Sequence, residues 1–327
     1  MLRRSILTLS AAALTAGVLG MAATPARAQA DKWPERPVKL ILPYAPGGAT
    51  DLIGRPWADK LTQELKQQFV VENKGGASGM IGTEAAAKSA PDGYTFLLTP
   101  NSALTVITNF RKTAYDPEKS FDAVGRVGDL VCGFVVHPSV GVKTMKELVD
   151  YAKKNPGKLA FGSAGLGTST HLRIETLKYR AGIDILHVPY RGSADALNDL
   201  LPGTVQMMNE INVLPHVKAG KLILLNINGA TRHPEFPDVP TLTEAGIADA
   251  DVPVWYSVWA PAGTPKDIVD KFNAKIVELA KSDDMKAKMQ AINVVVPIQS
   301  PTEMRQFLVE DLKRNGDIIK AANIKLE

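Results

Sequence analysis

Cysteine is almost absent from this chain of 327 residues, in which Cys132 is the only one. A single thiol cannot form a disulfide within the chain, so the fold must be stabilised by its hydrophobic core. Histidine is also rare, and the five residues lack the spacing of metal ligands. They are His137, His171, His187, His216 and His233. We therefore expect no metal site and no cofactor.

An excess of charge is missing from most of the chain. The whole sequence carries 38 basic and 34 acidic residues, but residues 1–28 contain Arg3, Arg4 and Arg27 and no acid. The remainder therefore holds 35 basic against 34 acidic residues, a net charge of +1. Proteins that bind nucleic acids or anionic membrane surfaces usually show a strong basic excess. The sequence therefore predicts neither a nucleic-acid partner nor insertion into a membrane.

Common catalytic motifs are absent as well. Ser78 and Ser163 each have a glycine two residues away on one side only, so neither forms the G-x-S-x-G turn of a serine hydrolase. The phosphate-binding G-x-x-x-x-G-K-[ST], the dinucleotide-binding G-x-G-x-x-G and the zinc-binding H-E-x-x-H patterns do not occur. We therefore predict no catalytic residues and a protein that is not an enzyme.

The N-terminus has the pattern of a secretory signal peptide. Arg3 and Arg4 precede an apolar run at 6–23, and small residues follow at 26–28. We predict cleavage after residue 28 or 30, by the general secretory route rather than the twin-arginine route, and a periplasmic location. No cysteine stands at the cleavage site for a lipid anchor, so we expect a freely diffusing monomer.

Apolar runs alternate with helical patterns along the rest of the chain. This order predicts α/β lobes, each with a mixed, mostly parallel sheet flanked by helices. Residues 31–128 form the first part of lobe 1, residues 129–252 form lobe 2, and residues 253–327 return to lobe 1 with C-terminal helices. The two crossings are expected near residues 126–132 and 250–258.

Two glycine-rich turns join a predicted strand to a predicted helix. The first turn spans residues 46–51, and the second spans residues 162–170. Glycine lets backbone N–H groups approach a ligand closely, and a helix N-terminus presents unpaired donors with a positive partial charge. Open α/β sheets bind ligands at the carboxyl ends of their strands. We therefore expect the two turns to face one cleft and to bind a carboxylate there.

The sequence at these turns resembles the substrate-binding proteins of tripartite tricarboxylate transporters, known as the Bug family. The resemblance extends over the whole chain after the signal segment. Its landmarks are Pro43–Asp51, Pro91–Tyr94, Gly162–Leu172, Val188–Ser193, Pro237–Thr241 and Ala260–Pro265. It implies a two-lobed type II periplasmic-binding-protein fold that closes on a small organic carboxylate and delivers it to membrane permease subunits.

The resemblance also implies the ligand-binding residues. Five lie in or beside the first turn, five lie in or beside the second turn, and the others come from segments nearby. They are Tyr44, Ala45, Gly47, Gly48, Asp51, Asn101, Ser163, Gly165, Thr168, Ser169, His171, Tyr190, Asn209 and Glu210. Where the family usually has Met-Met-Phe-Asp, this chain has Met207-Met208-Asn209-Glu210. We hypothesise that this difference changes which far end of the ligand is accepted.

Other roles are open for several of these residues. Asp51 could cap its helix rather than bind ligand, and Tyr44 and His171 could pack in the core. Arg111 and Arg191 are candidate cations for a second carboxylate, although arginine is mostly exposed. A lyase or hydrolase of organic acids is an alternative function, with Asp51, His171 or Glu210 as its general base. A subunit that presents the ligand to a membrane sensor is another.

Overall fold

A computed structural model describes residues 32–326. The predicted signal peptide lies outside this range. Within it, no helix is both long enough and apolar enough to cross a membrane.

The first sheet has six strands in the order β11-β4-β10-β3-β1-β2. Strands β1, β2 and β3 are parallel, whereas β10 runs antiparallel to β3 and β4, and β11 runs antiparallel to β4. The strands are β1 (Val38–Leu42), β2 (Phe69–Asn73), β3 (Thr95–Pro100), β4 (Phe121–Leu130), β10 (Trp255–Pro261) and β11 (Val294–Val295).

The second sheet has five strands in the order β7-β6-β8-β5-β9. Strand β6 is parallel to β7 and β8, and β5 is antiparallel to β8 and β9. The strands are β5 (Val135–Val136), β6 (Ala160–Ser163), β7 (Leu186–Pro189), β8 (Met207–Met208) and β9 (Ile223–Leu224). The expected mixed α/β architecture with two sheets is confirmed, but the sheets are not mostly parallel, since five of the nine pairings among these strands are antiparallel.

The helices cover the sheets. Helix α1 buries Ile53, Trp57 and Leu61 at four-residue spacing, as its pattern predicts. Capping boxes begin α4 at Thr144 and α10 at Ser300. The helices are α1 (Ala49–Leu65), α2 (Met80–Ala87), α3 (Ile107–Phe110), α4 (Met145–Lys154), α5 (Ser169–Ala181), α6 (Ser193–Leu200), α7 (Leu214–Lys218), α8 (Lys266–Lys281), α9 (Asp283–Ala291) and α10 (Pro301–Ala321).

The strands bound the two crossings, which are expected near residues 126–132 and 250–258. Residues 126–130 belong to β4, the longest strand of the first sheet, and residues 255–258 belong to β10. The sequence hides β4 because Gly125 and Gly128 lower its strand propensity. Packing requires these glycines, since a Cβ at Gly128 would lie 2.5 Å from Val294 and one at Gly125 would lie 3.2 Å from Asn273. The chain therefore passes between the sheets at residues 131–134 and returns by residue 254.

A buried arginine holds the two crossings together. Arg173 of α5 is 1% exposed. Its Nε donates to the Val252 carbonyl oxygen at 2.7 Å, and its Nη1 donates to Cys132 Sγ at 3.1 Å. Since Cys132 and Val252 lie on opposite crossings, the guanidinium fixes both to the same helix.

Candidate functional site

A cavity lies where segments that follow strands of both sheets meet. Its volume is about 30 Å³, room for only a few water molecules. Most of the segments that line it follow the strands β1, β3, β6, β7 and β8. The remaining lining residues lie at the start of β10. The lining residues are Tyr44, Ala45, Gly48, Ala49, Thr50, Pro100, Ser102, Ala164, Thr168, Ser169, Thr170, Gly192, Ser193, Ala194, Asp195, Glu210, Val254 and Tyr256.

The first glycine-rich turn is stabilised by the side chain of Asp51. Gly47 has a φ of +78°, which favours glycine, and its N–H donates to Asp51 Oδ2 at 3.0 Å. Arg55 Nε donates to the same oxygen at 2.8 Å, and Asn73 Nδ2 donates to Oδ1 at 3.1 Å. Burial raises the pKa of Asp51, but these hydrogen bonds outweigh it and lower the pKa overall. Asp51 and Gly47 therefore shape the turn and do not line the cavity.

Tyr44, Ala45 and Gly48 of the first turn do line the cavity. Tyr44 is buried, and its hydroxyl donates to the Ser78 carbonyl oxygen at 3.0 Å. Gly48 precedes α1 without any side-chain cap. The first turn of this helix therefore presents backbone donors near the cavity.

The second glycine-rich turn contacts the end of β3. Ser169 Oγ donates to Asn101 Oδ1 at 2.7 Å, and the Ser169 N–H donates to Ser102 Oγ at 2.9 Å. Thr168 caps α5 by accepting from the His171 N–H. Thr168, Ser169 and Ser102 line the cavity, whereas Asn101 is fully buried behind it. The turn after β6 is therefore joined to the segment after β3 by direct hydrogen bonds.

A third turn completes the cavity, although none of its lining residues is among the predicted ligand-binding residues. Gly192, Ser193, Ala194 and Asp195 begin α6 and line the cavity. Ser193 Oγ accepts from the Ala49 N–H at 3.2 Å. This hydrogen bond joins a segment of the second sheet, after β7, to a segment of the first sheet, after β1. The sequence does contain a pattern that indicates this turn. Gly192 lies between β7 and α6, just as glycines lie between strand and helix in the other two turns. Three helix N-termini thus converge on the cavity.

Other predicted residues support the second turn from behind. His171 Nδ1 accepts from the Gly167 N–H at 3.0 Å, and its ring stacks on His187 with centroids 4.0 Å apart. His187 Nε2 lies 2.6 Å from Ser163 Oγ, which accepts from the Gly165 N–H at 3.1 Å. Ser163 is fully buried and is absent from the cavity lining. The Ser163–His187 pair is therefore placed to order the turn, not to reach a ligand.

This histidine pair makes part of the stability depend on pH. Burial and His187 lower the pKa of His171 to about 3, and burial and Lys178 lower that of His187 to about 4. In the unfolded chain both titrate near pH 6.5, so between about pH 4 and 6.5 the unfolded state binds more protons. Their stabilising effect is complete above pH 6.5 and is lost as the pH falls.

We expect the free energy of unfolding of wild type, relative to His187→Gln, to fall by about 2 kcal/mol between pH 7.5 and pH 5. Urea titrations at both pH values measure it. The comparison cancels the opposite contribution of Glu210, whose pKa is raised in the fold. His216→Gln, in the short helix α7, is the control and should show a constant difference from wild type. A constant difference for His187→Gln as well would contradict this assignment.

Glu210 lies at the cavity, 5% exposed, and its Oε2 has no hydrogen-bond partner. Burial raises the pKa of Glu210 to about 7, although the positive charge of Arg173 and a backbone N–H partly offset it. Tyr256 lies in the same cavity, and burial raises its pKa well above its usual value. Among the described residues that line the cavity, none is lysine, arginine or histidine.

The predicted role of Asn209 at the ligand is not supported by its position. Asn209 is fully buried outside the cavity lining. Its Oδ1 accepts from Arg173 Nη1 at 2.7 Å, and its Nδ2 donates to Asn228 Oδ1 at 2.7 Å. Asn209 therefore belongs to the polar network at the crossings, and only its neighbour Glu210 lies at the cavity.

Six of the predicted residues come together around the cavity, and eight do not. Tyr190 does not line the cavity, and its hydroxyl instead donates to Asp199 Oδ2 at 2.6 Å. The six are Tyr44, Ala45, Gly48, Thr168, Ser169 and Glu210. The eight are Gly47, Asp51, Asn101, Ser163, Gly165, His171, Tyr190 and Asn209. Arg111 and Arg191 do not line it either.

Known proteins resemble this chain over most of its length. BugT of Bordetella pertussis is 35% identical over 302 residues, which cover 91% of this chain and 93% of BugT. Rpa4515 of R. palustris, solved with adipate, is 32% identical with a TM-score of 0.86, covering 90% of this chain and 99% of that one. MatC of Rhodopseudomonas palustris, solved with bound malate, is 29% identical with a TM-score of 0.83, covering 88% of this chain and 100% of MatC.

Residues 53–324 also match the family model described as "Tripartite tricarboxylate transporter family receptor". The match begins within α1 and extends through α10, so it includes the second and third turns but not β1 or the first turn. The expected resemblance is therefore confirmed, and the chain belongs to the tripartite tricarboxylate transporter family of receptors.

Proposed function

We propose that the protein captures a small carboxylate in the periplasm and delivers it, chemically unchanged, to the membrane permease of a tripartite tricarboxylate-type transporter. The ligand class is supported by relatives of similar fold that were solved with adipate and with malate. The periplasmic location is supported by the signal-like N-terminus and by the family. The permease partner is supported by the family description.

The observation that carries the proposal is the convergence of three helix N-termini on one cavity. The helices are α1, α5 and α6, which begin at Ala49, Ser169 and Ser193. A helix N-terminus has a positive partial charge and N–H groups without partners inside the helix, which favour a negatively charged ligand. The Thr50 hydroxyl lies at the same cavity and can also donate. A carboxylate can therefore be bound there without any cationic side chain.

Binding is proposed to require movement of the two sheets relative to each other. At about 30 Å³, the cavity is smaller than a four-carbon dicarboxylate needs. Hydrogen bonds from Ser169 to Asn101 and Ser102, and from Ala49 to Ser193, cross between the two groups of segments. Opening breaks these bonds, and a ligand that bonds to both sides favours the closed form.

The arrangement favours binding over catalysis. Of the three candidate general bases, Asp51 is bonded within its own turn and His171 lies behind the second turn. Glu210 alone lies at the cavity. A lyase or hydrolase would also need a second group that acts on the substrate. Other polar groups at the cavity include tyrosines and helix N-termini, and we infer that these bind the ligand rather than act on it.

A calorimetric and thermal-shift screen of the purified chain against organic acids tests the proposal. The panel should include dicarboxylates, tricarboxylates, aromatic acids and amino acids. We expect at least one acid to bind, and at 100 times its dissociation constant to stabilise the protein by about 2.7 kcal/mol. Mass spectrometry of the released compound should return the same acid. Binding by none of these acids, or release of a product, would contradict the proposed function.

A further inference from the structure

Glu210 is a cavity-lining residue whose buried carboxyl has an oxygen without a hydrogen-bond partner. It follows β8, and its backbone forms the N-cap of the short helix Ile211–Val213. Its side chain is 95% buried, and Oε2 bonds to no described group. A buried carboxyl oxygen without a partner is unfavourable unless something else donates to it. The side chain lies at the cavity, so that donor can come from a ligand.

Two neighbouring groups direct the hydrogen bonds described for them to other acceptors. Arg173 is near enough to lower the pKa of Glu210, but its Nε donates to Val252 and its Nη1 to Asn209 and Cys132. The Tyr44 hydroxyl, at the same cavity, donates to the Ser78 carbonyl oxygen. No hydrogen bond from these groups reaches Glu210 Oε2.

The charges of the cavity point the same way. Its described lining contains two carboxyl groups, Glu210 within it and the more exposed Asp195. No basic side chain of the described residues lines it to balance them. A plain dicarboxylate would add two further negative charges, and like charges in a desolvated site repel strongly. A ligand that also carries a donor group would satisfy Glu210 while its carboxylate binds the helix N-termini.

We propose that Glu210 selects the ligand by accepting a hydrogen bond from an ammonium or hydroxyl group on the same small acid. The preferred ligands are then amino or hydroxy acids, in that order, rather than the corresponding plain carboxylic acids. This inference rests on the proposed function. It assigns Glu210 to specificity and leaves carboxylate binding to the three helix N-termini.

Matched ligands separate the two roles in calorimetry at pH 8. The acid skeleton that binds in the organic-acid panel is tested in its plain, hydroxy and amino forms, which for four carbons are succinate, malate and aspartate. For wild type we expect the amino form to bind at least about tenfold more tightly than the plain form, with the hydroxy form between them. In Glu210→Gln the affinity for the amino form should fall about tenfold or more, while the plain form, relieved of the repulsion, should bind at least as tightly as it does to wild type.

The controls distinguish this role from a structural one. Glu175→Gln makes the same change in a half-buried glutamate outside the cavity and should keep the wild-type ranking. Thermal unfolding without ligand checks that Glu210→Gln folds, and Glu210→Met replaces it if it does not. A wild type that binds the plain acid as tightly as the amino acid, or a Glu210 variant that keeps the preference, overturns this inference alone. Failure of every acid to bind overturns the proposed function with it.

Discussion

Ala194→Asp is expected to weaken carboxylate binding about a hundredfold or more without lowering stability. Ala194 lies in the first turn of α6, lines the cavity, and its Cβ faces Gly47 of the first glycine-rich turn. An aspartate there adds a negative charge where the ligand carboxylate is proposed to lie. Two such charges about 4 Å apart repel by about 4 kcal/mol at an effective dielectric constant of about 20. An acidic residue in the first turn of a helix is itself favourable, so folding should be unaffected.

Two controls isolate the charge. Ala194→Asn adds nearly the same volume without a charge and should weaken binding much less. Asn198→Asp places the same charge on an exposed position of the same helix and should leave affinity within about twofold. Calorimetry with the tightest acid of the panel measures all three variants. Equal losses for Ala194→Asp and Ala194→Asn would show that space rather than charge limits binding, and would contradict the proposed carboxylate position.

Asp311→Ala is expected to lower the free energy of unfolding by about 3 to 5 kcal/mol. Asp311 of α10 is fully buried. Its Oδ2 accepts from Thr105 Oγ1 at 2.6 Å, Trp255 Nε1 at 3.0 Å and Asn101 Nδ2 at 3.1 Å, and Arg314 donates to Oδ1. Removing the carboxylate takes this acceptor from four buried donors, those of Thr105, Trp255, Asn101 and Asn315. Because the carboxylate bonds to residues of β10 and of the segment after β3, the loss is expected to be large.

The same change should also weaken ligand binding. Asn101, released from Asp311, is the residue that accepts from Ser169 at the N-terminus of α5. Asp317→Ala is the matched control, since Asp317 lies on the same helix, has a side chain 59% exposed and pairs with Lys313. Chemical denaturation should show a change of less than about 0.5 kcal/mol for this control. An Asp311→Ala protein within about 1 kcal/mol of wild type would contradict the assigned role.

The sequence predicts the parts of the site that depend on local backbone chemistry. Glycines between a strand and a helix place both predicted turns at the cavity, and the third turn at Gly192 follows the same rule. The directions in which the side chains of those turns point are set by tertiary contacts, which the local sequence does not reveal. Asp51 turns back to Gly47 because Arg55 and Asn73 lie beside it, and no local pattern in the sequence reveals the approach of Asn73.

Residues contributed by central strands were harder to predict. Every residue of β10 is buried, so its sequence lacks the alternation that would show which face Tyr256 occupies. Ser102 follows β3 directly, and its contact with Ser169 depends on how the two sheets are arranged. Asn209 and Glu210 differ by one position, but the pairing of β8 directs only Glu210 to the cavity. A shift of one residue in a strand reverses the face, and the sequence alone does not fix it.

A crystal structure of the protein with the tightest acid of the panel tests the central claim most directly. We predict that one carboxylate of the ligand lies in the cavity, within hydrogen-bond distance of donors from both the first turn, near Gly48–Thr50, and the second turn, near Thr168–Thr170. A ligand bound by only one of these turns, or bound outside this cavity, would contradict the account.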